Sequence, residues 1–114
     1  MTEQQIKRAK RLAEIQFSKE SYYVQERGGA VWVCHISGAV WKPFNPEQDK
    51  ALLWDLQIKY GVQINMKYYQ CLLLDYPDYN WGVTEVASFC FKDISEIPAA
   101  LIDCVIEING GYDD

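Results

Sequence analysis

Apolar residues recur along this 114-residue chain with two periods, one typical of helices and the other typical of strands. The helical period predicts three helices, at residues 2–19, 45–60 and from Asp93 or Ser95 to 108. Runs of β-branched and aromatic residues predict five strands, at residues 22–26, 30–36, 62–68, 69–74 and 81–91. The predicted order of elements is therefore α-β-β-α-β-β-β-α.

Turn sequences separate most of the predicted strands. Gly28 and Gly29 divide the first two strands, and the polar stretch 75–80 divides the last two, as in β-hairpins. Because hairpins join antiparallel strands, the expected fold class is α+β, with an antiparallel β-sheet covered by helices in a single-domain sandwich. Residues 1–40 are expected to form a helix and a hairpin, and residues 109–114 an acidic tail.

The second predicted helix has a start signal and a stop signal. Asn45 followed by Pro46 is a pairing that begins helices, since the Asn side chain can accept from a free N–H and proline has none to leave unpaired. Gly61 follows at the position where a left-handed cap is commonly needed. The apolar side of this helix is expected to lie against a sheet, and it comprises Ala51, Leu52, Trp54, Leu56 and Ile58.

Charge is distributed unevenly around a net value of −5. Residues 1–20 carry five basic and three acidic side chains (+2), whereas residues 75–114 carry nine acidic side chains and one lysine (−8). The N-terminus has no apolar core typical of a signal peptide, and no apolar run approaches the ~20 residues that span a membrane. We therefore expect a cytoplasmic protein with free thiols.

Candidate catalytic chemistry is sparse. His35 is the one histidine, and Cys34 beside it would point to the opposite face of a strand. The cysteines form no C-x-x-C pair, so neither a metal nor another cofactor is expected, and no catalytic residues are assigned. Asp75 and Asp78 could share a turn as paired carboxylates, which keeps a small enzyme of unknown type as an alternative.

Residues 41–108 carry several motifs that belong together. They are Trp41-x-Pro43, Phe44-Asn45-Pro46 with Asp49, Trp54, Lys59-Tyr60-Gly61 and the closing Ala99-Ala100 with Cys104. This span resembles small uncharacterised proteins of tailed bacteriophages, in particular the phage ABA sandwich domain and NinX-like proteins. The resemblance implies an α+β sandwich of phage or prophage origin and supplies no catalytic residues.

We expect the chain to act as a non-catalytic protein-binding module, using acidic residues and neighbouring aromatic rings as its contact surface. The candidate binding residues are Trp41, Lys42, Phe44, Tyr76, Asp78, Tyr79, Asp113 and Asp114. The partner would be a host protein, plausibly a basic nucleic-acid-binding effector such as a CRISPR or restriction nuclease, which the module would inhibit. A homodimer through the same surface is also open.

The first predicted helix supports a second alternative, a nucleic-acid-binding domain. Lys7, Arg8, Lys10 and Arg11 would form its basic face. The double-stranded-RNA-binding fold, however, grips phosphates at the start of its last helix. Here that place holds acidic residues, so direct nucleic-acid binding is expected to rank below protein binding.

Overall fold

The computed structural model describes residues 1–17, 19–67, 69–75 and 84–112. It contains three α-helices, which are α1 (Glu3–Gln16), α2 (Lys50–Tyr60) and α3 (Ile97–Ile108). The described strands are β1 (Tyr22–Arg27), β2 (Ala30–His35), β3 (Lys42–Pro43), β4 (Gln63–Asn65), β5 (Gln70–Asp75) and β6 (Thr84–Cys90). Short 3-10 turns at Pro46–Gln48 and Ile94–Glu96 precede α2 and α3. The α+β fold class is confirmed.

The described strands form two antiparallel sheets, in the orders β1-β2-β3 and β4-β5-β6. In the first sheet Gly28 and Gly29 close the hairpin with φ values of 58° and 75°, the left-handed conformation that a tight hairpin turn requires. The short edge strand β3 was not predicted, and it pairs Pro43 opposite Trp32. An edge position tolerates proline because one side of the strand needs no ladder hydrogen bond.

The three helices join the two sheets. α1 packs on β1 and β2, α3 packs on β5 and β6, and α3 also contacts both α1 and α2. Six side chains of α3 are buried: Ala100, Leu101, Ile102, Cys104, Val105 and Ile106. Because α3 buries more side chains than α1 or α2 and packs on both of them and on β5 and β6, it is the centre of the core.

The ends of the helices follow local capping rules, with two corrections. Thr2 and Gln5 form a capping box at the start of α1. Before α2, Pro46–Gln48 forms a 3-10 turn, and Asp49 rather than Asn45 supplies the cap by accepting from the Leu52 N–H at 3.1 Å. Gly61 ends α2 in the left-handed conformation, as predicted.

The expected apolar side of α2 is wrong. Leu56 is 1% exposed, but Trp54 and Ile58 are 64% and 66% exposed. Residues 54, 56 and 58 are two positions apart, and each step along a helix rotates the side chain by ~100°. Residues 54 and 58 therefore share one face while Leu56 lies on the other. The helix buries Leu56 against the core and turns an apolar stripe of Trp54 and Ile58 to solvent.

Candidate binding surface

Alternation along the first sheet separates a core face from an outer face. Val31 and Val33 point inward and are buried beneath α1. On the outer face the register places Tyr23 opposite Cys34, and Gln25 opposite Trp32. β3 pairs with β2, and this pairing places Trp41, the residue before β3, on the same outer face.

Four side chains on the outer face contact one another, and we call them the aromatic–arginine cluster: Tyr23, Arg27, Trp32 and Trp41. The Arg27 guanidinium lies 4.8 Å from the centroid of the Trp41 ring and 5.6 Å from that of Trp32. Tyr23 stacks on Trp41 with ring centroids 6.4 Å apart and an angle of 29° between the planes. The arginine thus joins the two indoles, and the tyrosine extends the ring surface along the sheet.

The aromatic–arginine cluster is accessible and positively charged. Tyr23 is 52% exposed, Arg27 is exposed and both tryptophans are half-buried. Within the described ranges Arg27 has no salt-bridge partner, so the rings alone hold its charge. Each cation–π contact at an exposed site contributes about 0.5–1 kcal/mol. These contacts favour one arrangement of the side chains, while their outer surfaces stay open.

The predicted binding residues have different outcomes. Trp41 belongs to the cluster. Lys42 is exposed, but its pairing opposite Val33 places it on the other face of the sheet from the cluster. Phe44 is only 9% exposed, so its assignment to the contact surface is wrong. Its N–H donates to the Val31 carbonyl at 2.8 Å, which places it opposite a core residue, and its ring meets Phe17 edge-on at 5.4 Å.

Five other predicted binding residues lie outside the described residues: Tyr76, Asp78, Tyr79, Asp113 and Asp114. Three members of the cluster were missed by the sequence reasoning, namely Tyr23, Arg27 and Trp32. The glycine pair at the hairpin tip fixes the register that brings them together. Counting residues outward from the glycine turn along both strands would have placed these three side chains on one face of the sheet.

The basic face of the first helix is largely used inside the molecule. Arg8 is buried, and its Nε and Nη2 donate to the two carboxylate oxygens of Asp103 at 2.9 and 3.3 Å. Its Nη1 donates to Glu47 at 3.1 Å. Burial lowers the pKa of the Arg8 guanidinium, but the hydrogen bond and charge of Asp103, joined by Glu47, outweigh burial and raise it.

Arg11 is also committed to an internal contact. Its Nε donates to the Gly111 carbonyl at 2.6 Å and its Nη2 to the Asn109 carbonyl at 3.1 Å, where α3 has just ended. Lys7 and Lys10 remain exposed. Two of the four basic residues are therefore unavailable to a nucleic acid, which weakens that alternative.

Part of the acidic end of the sequence is internal as well. Asp103 accepts from Arg8 and also from the Tyr112 hydroxyl at 2.7 Å. Burial, with this hydrogen bond, raises the pKa of Tyr112 well above its ordinary value of 10.0. Asp93, Glu96 and Glu107 stay exposed. Of these four carboxylates, one is therefore paired inside the molecule and three are open to solvent.

The thiol and the imidazole of β2 make separate contacts. The Cys34 thiol is buried and donates toward the carbonyls of His35 and Gly38 at 3.3 and 3.5 Å. His35 Nδ1 accepts from the Ser37 N–H at 3.1 Å, and the Ser37 hydroxyl lies 2.6 Å from the same nitrogen. None of these contacts joins the sulfur to the ring, so the two groups are not arranged as a nucleophile and its base.

Two further findings concern metals and membranes. Histidine, cysteine and carboxylate side chains in the described ranges form no cluster suited to a metal ion. None of the helices found in those ranges is both long enough and apolar enough to cross a membrane.

Comparison with known proteins found no match among protein-family models, curated proteins or solved structures. The resemblance to phage sandwich proteins stays a prediction. The surface chemistry of the chain is therefore the basis for any functional proposal.

Proposed function

We propose that this chain is a protein-binding module whose contact surface is the aromatic–arginine cluster. The observation that carries the proposal is the Arg27 guanidinium held against Trp32 and Trp41 on an open sheet face. Tyrosine, tryptophan and arginine are the residues most enriched at the energetic centres of protein interfaces. The cluster presents all three types side by side.

The order within the cluster also favours binding. Side chains that must be immobilised on binding each cost about 0.5–1.5 kcal/mol of interaction energy. Here the stacking of Tyr23 on Trp41 and the two contacts of Arg27 favour one arrangement in the free protein. The free energy that a partner must spend on ordering these side chains is therefore smaller.

The charge of the cluster indicates what the partner surface contains. Arg27 is an exposed cation, so an acidic or aromatic patch on the partner complements it. Inhibition of a host CRISPR or restriction nuclease is supported by the resemblance to phage proteins alone. Such inhibition is the most specific part of the proposal, and identifying the captured partner tests it.

A second candidate is single-stranded nucleic acid. Exposed rings and a guanidinium can stack on bases, and that contact tolerates any sequence. The net charge of −5 opposes it, because affinity for nucleic acid depends strongly on neutralising phosphates. The same experiment separates the two candidates.

The test is affinity capture from a bacterial host lysate with the wild-type chain and matched variants. Arg27→Ala and Trp41→Ala alter the cluster, and Trp54→Ala removes an exposed tryptophan of α2 as the control. We expect a protein that is captured by the wild type and the control. Binding by the cluster variants should fall at least about 30-fold, as for an interface residue worth ~2 kcal/mol.

Equal capture by all four proteins would contradict the proposed surface. Recovery of nuclease-sensitive nucleic acid that resists high salt would favour the second candidate instead. Circular dichroism of each variant shows that the loss of binding is not a loss of folding.

A further inference from the structure

A cavity of about 440 Å³ lies on the inner side of the first sheet, beyond the end of α1. Its walls come from the sheet, the loop that follows β2, and the first turn of α2. The lining residues include Phe17, Tyr22, Val33, Phe44 and Leu52. Cavities that hold small molecules have volumes of roughly 300–1,000 Å³ and mostly apolar walls. This one has the size and the lining of such a site.

The fold leaves this volume open for a local reason. α1 ends at Gln16, while the register carries the sheet on to the pair Tyr22 and His35. The chain then turns sharply, with the Gly38 N–H donating to the His35 carbonyl at 2.9 Å, and runs along the cavity mouth to Lys42. α1 has therefore ended before this part of the sheet and does not cover it.

The polar groups that line the cavity are mainly donors. Lys42 lines it and forms no salt bridge with any described residue. His35 lines it too, and because its Nδ1 accepts from the Ser37 N–H, its hydrogen lies on Nε2. The Asp49 carboxylate is at the same cavity, but its Oδ1 already accepts from the Leu52 N–H at the start of α2, where the helix dipole stabilises its charge.

We propose that this cavity binds a small organic acid with a flat apolar body. The apolar body would lie between Val33, Phe44 and Leu52, and its carboxylate would receive the Lys42 ammonium. The commitment to an acid comes from the Lys42 ammonium, which pairs with no carboxylate among the described residues, whereas the Asp49 carboxylate is directed at the start of α2. The proposal is independent of the aromatic–arginine cluster, which lies on the other face of the sheet.

The test uses three probes of equal shape, namely naphthoic acid, naphthalenemethanol and naphthylmethylamine. Their affinities are measured on the full chain by two-dimensional NMR titration. We expect the acid to bind about tenfold more tightly than the alcohol, as one charge-assisted hydrogen bond provides, and the amine to bind most weakly. Shifted amide resonances should be those of residues 33–44 and 49–52.

Two variants assign the parts of the site. Lys42→Met keeps the aliphatic stem and removes the charge, so it should lower the affinity for the acid about tenfold and leave the alcohol within about twofold. Gly38→Leu adds a side chain to the lining at a position where a Cβ would meet its nearest atom, the His35 carbonyl oxygen, at an ordinary 3.5 Å. It should abolish binding of all three probes while α3 resonances stay unchanged.

Binding of the amine as tight as that of the acid would overturn the proposal, as would acid binding that Lys42→Met leaves unchanged. Shifts confined to residues outside the cavity in the wild-type titration would overturn it without recourse to any variant.

Discussion

The contact between Arg8 and Asp103 offers the sharpest test of how this fold is held together. Arg8 belongs to α1, Asp103 to α3, and Glu47 to the turn before α2, so one guanidinium joins three elements. The pair with Asp103 is bidentate, which is the strongest geometry for an arginine and a carboxylate. All three side chains are mostly shielded from water.

The perturbation is Arg8→Met, which keeps an apolar stem of similar length and removes the charge. Three hydrogen bonds are lost, and Asp103 and Glu47 are left near each other without their cation. Removing one partner of a fully buried pair costs about 3–5 kcal/mol, and hydrogen bonds to charged groups contribute about 1.5–3 kcal/mol each without being additive. Because some water reaches this cluster, we expect a loss of about 3 kcal/mol in the free energy of unfolding.

The assay is urea denaturation followed by far-ultraviolet circular dichroism at neutral pH. A double-mutant cycle with Asp103→Asn should give a coupling energy of at least about 1.5 kcal/mol. Arg11→Met is the matched control, since it loses contacts to two carbonyl oxygens and a long 3.4 Å contact to Glu14, and it should cost about 1 kcal/mol. A loss below about 0.5 kcal/mol for Arg8→Met, or a coupling energy near zero, would refute the reasoning.

Two further predictions concern α2 and the end of the chain. Leu56→Ala should lower the free energy of unfolding by about 2–4 kcal/mol because Leu56 is buried. Trp54→Ala and Ile58→Ala should each change it by less than about 0.5 kcal/mol because both side chains are exposed. Denaturant titration of the three variants measures these changes, and equal losses would contradict the assigned faces. The folded-state pKa of Tyr112 is raised, so its contribution is present below about pH 10 and is lost at higher pH, where the unfolded chain releases the proton more easily. Stability should therefore fall above pH 10 less steeply in Tyr112→Phe than in the wild type, and identical alkaline slopes would count against this assignment.

Features that depend on neighbouring residues could be predicted from the sequence. The Gly28–Gly29 hairpin, the cap at Thr2, the left-handed Gly61 and the α+β class all follow from local backbone preferences, and the structure has them. α2 begins one turn later than predicted because two residues able to cap a helix, Asn45 and Asp49, lie one turn apart. Sequence spacing alone does not rank such competitors.

The candidate surfaces show where local reasoning ends. Trp41 could be predicted as a contact residue, but its partners Arg27 and Trp32 are separated from it in the chain and meet it only through strand register. In the sequence, Phe44 is an aromatic residue of the same loop as Trp41. The backbone pairing with β2 directs the Phe44 side chain into the core instead.

The sequence by itself therefore determined the types of element and most of their ends, because turns and caps act over a few residues. Only the tertiary structure decided which face of α2 is buried and that Arg8 pairs with carboxylates inside the molecule. It also decided that three rings and a guanidinium share one open surface. The physical reason is that burial and pairing depend on which elements pack together, and contacts such as that of Arg8 with Asp103 join residues far apart along the chain.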